Sequence, residues 1–120
     1  MYRPYHLVGM EAPISIAKAY LYKEPTGAPR SMVAEVAAGA KRPLEPGEVL
    51  GGEGSRTVYG SIVTAAQAQQ QRLLPIGFCA GATVTRPVSE DQVLSYEDVK
   101  LPEDGFAYHL RLVQDRTPSS

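Results

Sequence analysis

A nine-residue pattern occurs twice in this chain and limits the fold more than any other sequence feature. Residues 42–50 (RPLEPGEVL) align without gaps with residues 86–94 (RPVSEDQVL), and four of the nine positions are identical. In each copy a proline leads through an apolar residue and a polar tight turn to a Val-Leu pair that returns to the core. The pattern therefore predicts two similar β-turn-β units that are related by pseudo-symmetry.

The chain around the repeat predicts a mostly β domain with short flanking helices. A length of 120 residues allows one domain with a core, but not a cofactor-binding domain together with a catalytic one. Residues 24–29 (EPTGAP) favour a linker, because prolines and glycine promote extended and turn backbone. We therefore predict a helical N-terminal segment over 1–30, a β domain over 31–105 and an extension over 106–120 whose end is disordered.

Helical spacing of apolar residues locates the helices. One helix is predicted over 13–23 with Pro13 at its first position, and another over 65–74. Thr64 is predicted to cap the second helix, because its hydroxyl can accept an unpaired amide hydrogen, and Pro75 is predicted to end it. Residues 106–113 fit both a strand and a helix, and we favour the helix.

The strands and the core follow from the β-rich pieces after Ser31. Strands are predicted over 32–37 and 57–63, with a glycine-rich loop before the second. The predicted core consists of apolar residues from these strands, the second helix and both copies of the repeat: Val33, Val36, Leu44, Val49, Leu50, Ile62, Leu74, Ile76, Val84, Val88, Val93, Leu94 and Val99.

Charge and hydropathy exclude some partners. The formal net charge is −1 and no basic patch is present, so we predict no binding to nucleic acid. The longest apolar run, residues 12–22, is interrupted by Ser15 and Lys18 and is too short to cross a bilayer, so we predict no membrane partner. The first residues lack a secretory pattern, and a single cysteine suits a reducing compartment. A cytoplasmic protein is predicted.

No motif indicates catalysis or metal binding. His6 and His109 are far apart in sequence, and Cys79 lies among apolar and small residues, which predicts a buried inert thiol. The loop at 51–54 (GGEG) matches no phosphate-binding pattern. We predict a solvated acidic face for the carboxylates that fall in turns, which are Glu45, Glu48, Glu53, Glu90, Asp91, Glu97 and Asp98.

A polar-aromatic cluster at the start of the chain is the one candidate functional surface. It consists of Tyr2, Arg3, Tyr5 and His6. Such side chains combine apolar area with hydrogen-bonding groups and are enriched at interfaces. We therefore predict these four residues to be interface residues, and we predict no catalytic, cofactor-binding or metal-binding residue.

The repeat-bearing part resembles the SAF domain, a β-clip module found in type III antifreeze proteins, sialic acid synthases and flagellar P-ring assembly chaperones. The segments that carry this resemblance are 40–50 (AKRPLEPGEVL) and 84–99 (VTRPVSEDQVLSYEDV). They fit a recurring turn pattern and a closing pattern of the form L-[ST]-x-x-D-V. The second copy has Asp91 where the turn pattern has glycine. The resemblance implies a β-clip fold.

Other segments resemble the C-terminal part of homoserine dehydrogenase-like NAD(P)-dependent oxidoreductases, a group that includes deoxyxylulose-phosphate reductoisomerase-like enzymes. In these enzymes a Rossmann domain and a catalytic domain precede an SAF-type region. The matching segments are 2–7 (YRPYHL), 11–17 (EAPISIA), 24–29 (EPTGAP) and 58–60 (VYG). The dinucleotide fingerprint of those enzymes is missing from this chain.

Two hypotheses of different class follow. The first is a non-catalytic accessory or C-terminal portion of such an oxidoreductase, which binds no cofactor itself and works beside a Rossmann-type dehydrogenase portion that holds NAD(P). The second is a freestanding SAF-type module that binds a small molecule or carbohydrate, or assists assembly. Either hypothesis is compatible with a homo-oligomer.

Overall fold

The computed structural model describes residues 7–28, 30–102 and 105–116. It divides into two compact units, Met1–Arg30 and Ser31–Ser120, called here the N-terminal unit and the main unit. Each unit is described by itself. The predicted disordered end, residues 117–120, lies outside the described residues.

The described part of the N-terminal unit contains one helix, α1 (Val8–Tyr22). It begins five residues before Pro13, because the carbonyl of Leu7 accepts hydrogen bonds from the amides of Met10 and Glu11, both at 2.9 Å. The predicted start at Pro13 is therefore wrong. The helix ends at Lys23, which has a left-handed backbone with φ 57°.

The main unit combines two small antiparallel sheets with two helices. Its elements are β1 (Ala34–Ala40), β2 (Val58–Thr64), α2 (Ala65–Gln70), a 3-10 turn (Ile76–Phe78), β3 (Thr83–Val84), β4 (Val99–Lys100) and α3 (Phe106–Arg116). β1 pairs with β2, and β3 pairs with β4. Helical residues outnumber strand residues in the described chain, so the protein is a small α/β protein. The mostly β character expected from the sequence holds only in part.

The two copies of the repeat form equivalent turns that face each other. Leu44 and Val88 exchange two backbone hydrogen bonds of 2.9 and 3.0 Å. Gly47 and Asp91 occupy the same position of the two turns, and both have left-handed backbones, with φ 91° and 62°. Aspartate is one of the few residues that tolerate this conformation. The second turn therefore keeps its geometry without glycine.

Backbone hydrogen bonds between residues far apart in sequence also correspond in the two copies. The amide of Gly47 donates to the carbonyl of Val84 at 2.8 Å, and the amide of Asp91 donates to the carbonyl of Ala40 at 2.9 Å. Two more pairs obey the same relation, namely Leu50 N–Ala82 O with Leu94 N–Ala38 O, and Val84 N–Glu48 O with Ala40 N–Gln92 O. The repeated segments are thus related by a pseudo-two-fold axis.

Seven of the thirteen predicted core residues are buried, Ile76 and Val93 are half-buried, and four are exposed. The main apolar cluster contains Leu44, Leu50, Val58, Leu74, Val84, Val88, Leu94 and Val99. Val33, Val36, Val49 and Ile62 are exposed, so the core prediction was wrong for them. Val49 points away because neighbouring strand residues face opposite sides and Leu50 faces the core. The other three lie toward the end of the β1–β2 hairpin that the core does not reach.

The helices of the main unit differ in length from the predictions. Thr64 caps α2 as predicted, since its Oγ1 accepts the amide of Gln67 at 3.1 Å. The helix ends four residues before Leu74, because Arg72 takes a left-handed backbone and turns the chain. α3 confirms the helix favoured for 106–113 and extends it to Arg116. Among the described residues, no helix is long and apolar enough to cross a membrane.

Candidate functional site

The four predicted interface residues, Tyr2, Arg3, Tyr5 and His6, lie outside the described residues. Within the described chain, polar groups converge on a cleft between the end of α2, the turn at Tyr96 and α3. The cleft has a volume of about 300 Å³. Its lining combines apolar and charged side chains: Ala68, Gln69, Arg72, Leu73, Tyr96, Tyr108, Arg111, Leu112 and Asp115.

Arg72 lies at the rim of this cleft in an unusual conformation. Its φ of 50° is left-handed, a position where helix ends usually have glycine. Two hydrogen bonds close the helix end around it, from the amide of Leu73 to Ala68 O at 2.9 Å and from the amide of Arg72 to Gln69 O at 3.2 Å. Strained non-glycine residues occur preferentially at functional sites. Arg72 therefore places a cation at the cleft at the cost of backbone strain.

Tyr96 contributes a hydroxyl without a hydrogen-bond partner. Its Oη is buried, and it has no partner among the residues that the structure describes. Burial raises the pKa of this phenol to about 12, so it stays protonated and can donate a hydrogen bond. A buried donor without a partner is unusual in folded proteins. Tyr96 therefore carries a hydrogen-bond donor that no described residue uses.

Arg111 forms the charged floor of the cleft. Its Nη1 donates a hydrogen bond to Oε2 of Glu35 on β1, and its Nε lies 2.8 Å from Oδ1 of Asp115, one turn along α3. Burial disfavours the cation, but the hydrogen bond and charge of Glu35 outweigh it and raise the pKa of Arg111. Two carboxylates thus neutralise this arginine, and it fixes α3 to β1.

Aromatic packing holds α3 beside the cleft. The ring of Tyr108 lies 6.4 Å from the rings of both Phe78 and Tyr96, edge-on to Phe78. Arg72, Tyr96 and Tyr108 also line a second cleft of about 350 Å³, which extends toward Lys100 and the exposed His109. The two tyrosines therefore stand between two adjoining depressions.

The groups that line the first cleft can bind a small molecule. Arg111 is paired with carboxylates, and the titratable groups that line the first cleft include no nucleophile beside a base. Among the described residues, no group of three or more potential metal ligands occurs. A hydroxyl donor and a nearby cation can hold a small molecule that carries an acceptor or an anionic group.

The burial predicted for Cys79 is confirmed. Cys79 is fully buried in the core, and burial raises the pKa of its thiol to about 11. A protonated, inaccessible thiol is a poor nucleophile. His109 is exposed, with Nδ1 3.1 Å from the carbonyl of Gly105, the residue that precedes α3, so it has a local structural contact.

Asp98 corrects the prediction of a solvated acidic face. It is 1% exposed, and its carboxylate accepts hydrogen bonds from Arg86 Nε at 2.5 Å, from the amide of Ser95 at 2.6 Å and from Ser95 Oγ at 2.8 Å. Burial opposes ionisation, but these hydrogen bonds prevail and lower the pKa of Asp98. In the other copy Arg42 pairs with Glu48 instead. In the second copy the position equivalent to Glu48 is the uncharged Gln92, and Arg86 forms its ion pair with Asp98.

Two helices present apolar side chains to solvent. On α1 they lie on opposite sides, since Ile14 and Leu21 share one side and Ile16 and Tyr20 another. None of the residues of α1 is buried. These side chains form a candidate interface, which adjoins in sequence the four predicted interface residues.

α3 is oriented with its polar side toward the main unit. Tyr108, Arg111 and Asp115 contact the domain, whereas the outward side carries the exposed apolar residues Phe106, Leu110 and Val113. A typical surface helix packs its apolar side against the domain and exposes its polar side, so α3 has the opposite arrangement.

Comparison with known proteins gives no assignment: no protein-family model matches the chain, and no curated protein is significantly similar to it.

Proposed function

We propose that this chain is a non-catalytic accessory or C-terminal portion of a homoserine dehydrogenase-like oxidoreductase, in which the main unit is an SAF-type β-clip. The partner is a Rossmann-type dehydrogenase portion that holds the NAD(P). The cytoplasm is the proposed location. The observation that carries the proposal is the apolar surface of α1.

An exposed helix that is apolar on opposite sides requires neighbouring surfaces to cover it. Fully burying a side chain such as Ile14 or Leu21 contributes roughly 1.5–3 kcal/mol. Contiguous exposed apolar surface marks interaction sites in soluble proteins. The outward apolar side of α3 adds a second surface of the same kind, on the main unit.

The resemblance of residues 2–29 to the end of an oxidoreductase catalytic domain supplies the identity of the partner. On this proposal α1 packs into the dehydrogenase portion, and Tyr2, Arg3, Tyr5 and His6 contact it. The pseudo-two-fold turns of the main unit support the SAF-type assignment, because that module is built from such turns.

The proposal expects a Rossmann-type dehydrogenase in an open reading frame beside this chain, and the test is association with that protein. We expect the two proteins to elute together in size-exclusion chromatography. Ile14→Glu and Leu21→Glu should abolish association, because each places a charge in a desolvated contact. Ser15→Glu is the matched control, since it adds the same charge at an exposed polar position of the same helix.

The control variant should still bind, and all three variants should keep the cooperative thermal transition of the main unit. NADH should bind the complex and not the isolated chain. Co-elution that survives both glutamate substitutions would reject α1 as the contact. Saturable NADH binding to the isolated chain at micromolar concentration would reject the proposed division of labour.

A second candidate function is small-molecule binding by the cleft at Tyr96. The buried hydroxyl without a described partner and the strained Arg72 favour it. The ligand class is a small molecule with a carboxylate or several hydroxyls, because the available groups are hydrogen-bond donors.

Arg72→Gly separates binding from folding. Glycine relieves the left-handed backbone, so this variant should be at least as stable as the parent chain, yet it loses the cation. We expect amide chemical-shift changes around Tyr96 with members of a panel of monosaccharides and small carboxylates. Arg72→Gly should weaken them. A panel without any shift at the cleft would reject this function.

A further inference from the structure

One edge of the β1–β2 hairpin is open in the described structure. β1 has neighbours on both sides, because it pairs with β2 and its Ala38 amide donates to Leu74 O at 2.8 Å. β2 pairs with β1 alone among the described strands. Unpaired strand edges attract further strands, and proteins normally protect them with charge, proline or short length.

The register shows which backbone groups point outward from β2. Hydrogen bonds from Lys41 N to Thr57 O and from Ala65 N to Val33 O bracket the hairpin. In an antiparallel pair, residues directed at the partner strand alternate with residues directed away from it. The odd-numbered residues of β2 therefore bond β1, and the even-numbered ones direct their N–H and C=O groups to the open edge, except for the carbonyl of Thr64, which as the N-cap belongs to the first turn of α2.

Three of these even-numbered residues, Gly60, Ile62 and Thr64, are exposed. Ile62 is 80% exposed and lies directly opposite Val36, which is 41% exposed. Between Val58 and Thr64 the strand contains no charged residue and no proline. This edge therefore lacks the charge, the proline and the short length that usually protect a strand edge, and the aliphatic side chains of Ile62 and Val36 lie beside it.

The equivalent strand of the second copy is protected. Val99 in β4 pairs with Val84 as Val58 in β2 pairs with Ala40. β4 has only two residues, and Pro102 follows shortly after it. Proline and short length block edge pairing there. The long open edge is thus specific to the first copy.

We propose that β2 pairs antiparallel with β2 of a second copy of this chain, with the two-fold axis at Ile62. This register places Ile62 opposite its counterpart and Gly60 opposite Thr64, so it uses only exposed residues. In this register the side chains of Val36 and Ile62 form one row with those of the second copy. The two β1–β2 pairs together form a four-stranded sheet.

The occupant is a second copy because the strand is complementary to itself. An uncharged strand meets no like charge when it pairs with its own copy, and the central isoleucine finds an isoleucine. This inference does not depend on the proposed dehydrogenase partner, because β2 is not part of the α1 contact.

The test is the oligomeric state of the full chain by sedimentation equilibrium over a range of concentrations. We expect a reversible dimer. Ile62→Lys should weaken dimerisation at least about a hundredfold, since two isoleucines lose their burial and two cations oppose each other. Val49→Lys and Leu110→Lys are matched controls, because both replace exposed aliphatic residues elsewhere on the main unit.

Dimerisation that Ile62→Lys leaves unchanged, or that Leu110→Lys abolishes, would overturn the proposal. A chain that stays monomeric at all concentrations would also overturn the proposal. In that case β2 of a second copy is not the strand that pairs with the open edge. At concentrations where the parent chain is monomeric, circular dichroism should show the same thermal transition for Ile62→Lys and the parent chain.

Cross-linking tests the register. Opposed residues in a hydrogen-bonded antiparallel pair have Cα atoms about 5.5 Å apart, within the range that a disulfide spans. In a Cys79→Ala background, Ile62→Cys should form a covalent dimer under mild oxidation. Val49→Cys should not. Equal cross-linking of both variants would reject the two-fold at Ile62.

Discussion

Leu44 and Val88 donate a backbone hydrogen bond to each other, and they occupy the same position in two copies of one sequence pattern. A reciprocal contact between equivalent residues lies on the symmetry axis that relates the copies. The repeat in the sequence is therefore also a repeat in hydrogen bonding, and each turn supplies the partner groups for the other.

The first prediction concerns the left-handed turn positions. Gly47→Ala should lower the free energy of unfolding by about 1 kcal/mol, because a Cβ is strained at φ 91° although the space around it is open. Gly77→Ala is the control, since its surroundings are equally open and its φ is not left-handed. Urea denaturation measures both. An equal loss in the two variants would contradict the assigned cause.

The second prediction concerns Asp98. Its pKa is lowered in the folded state, so its ionised form contributes stability above its ordinary pKa of 3.8, and this contribution is lost as pH falls through the lower folded value. Asp98→Asn should remove that acid dependence, and Asp98→Ala should cost about 1–3 kcal/mol because the Ser95 amide loses its acceptor. Urea unfolding at a series of pH values provides the measurement. Glu97→Gln, at an exposed neighbour, should have little effect.

The third prediction concerns the unpartnered hydroxyl of Tyr96. Tyr96→Phe should leave the free energy of unfolding unchanged or slightly raised, because the folded protein gains little from a buried donor that bonds no described group. The folded pKa of about 12 lies above the ordinary value of 10.0, so the parent chain should lose stability as pH rises between them. Tyr96→Phe should lessen that loss. A destabilisation of more than about 1 kcal/mol would mean that the hydroxyl has a partner.

The fourth prediction concerns Cys79. At about pH 8 the folded chain should not react with a thiol reagent, because the thiol is fully buried and its pKa is raised to about 11. Denatured chain should react at once. Rapid labelling of the native protein would show that the core opens at this position.

The repeat was the part of the fold most accessible from sequence. Proline, glycine and aspartate at fixed offsets specify a turn locally, so both turns could be located without knowing the rest of the structure. Thr64 was predictable for the same reason, since capping depends on residues within one helical turn.

Burial along the β1–β2 hairpin could not be predicted in this way. Alternation identifies the apolar side of a strand, but not how far along the strand other elements cover it. Ile62 and Val58 are on the same side of β2, yet only Val58 is buried.

The candidate cleft was missed for a similar reason. Arg72, Tyr96 and Arg111 come from three separate parts of the chain. Tyr96 is at a variable position of the closing pattern, and the other two belong to no motif. A left-handed arginine leaves no trace in sequence, because the position would normally be predicted as ordinary helix. Asp98 was within a recognised pattern, but its burial depends on Arg86 and on the loss of a glutamate at position 92.

The reciprocal pairing of the two turns also determines when the main unit can close during synthesis. The amide of Leu50 donates a hydrogen bond to Ala82, and the carbonyl of Ala38 accepts one from Leu94. Because these partners are later in the sequence, the first copy is synthesised before the groups that it bonds. The first copy must remain open until the second emerges. Closure is then a single event that requires both copies, and a nascent chain that stalls before residue 94 exposes an unfinished sheet to chaperones and proteases.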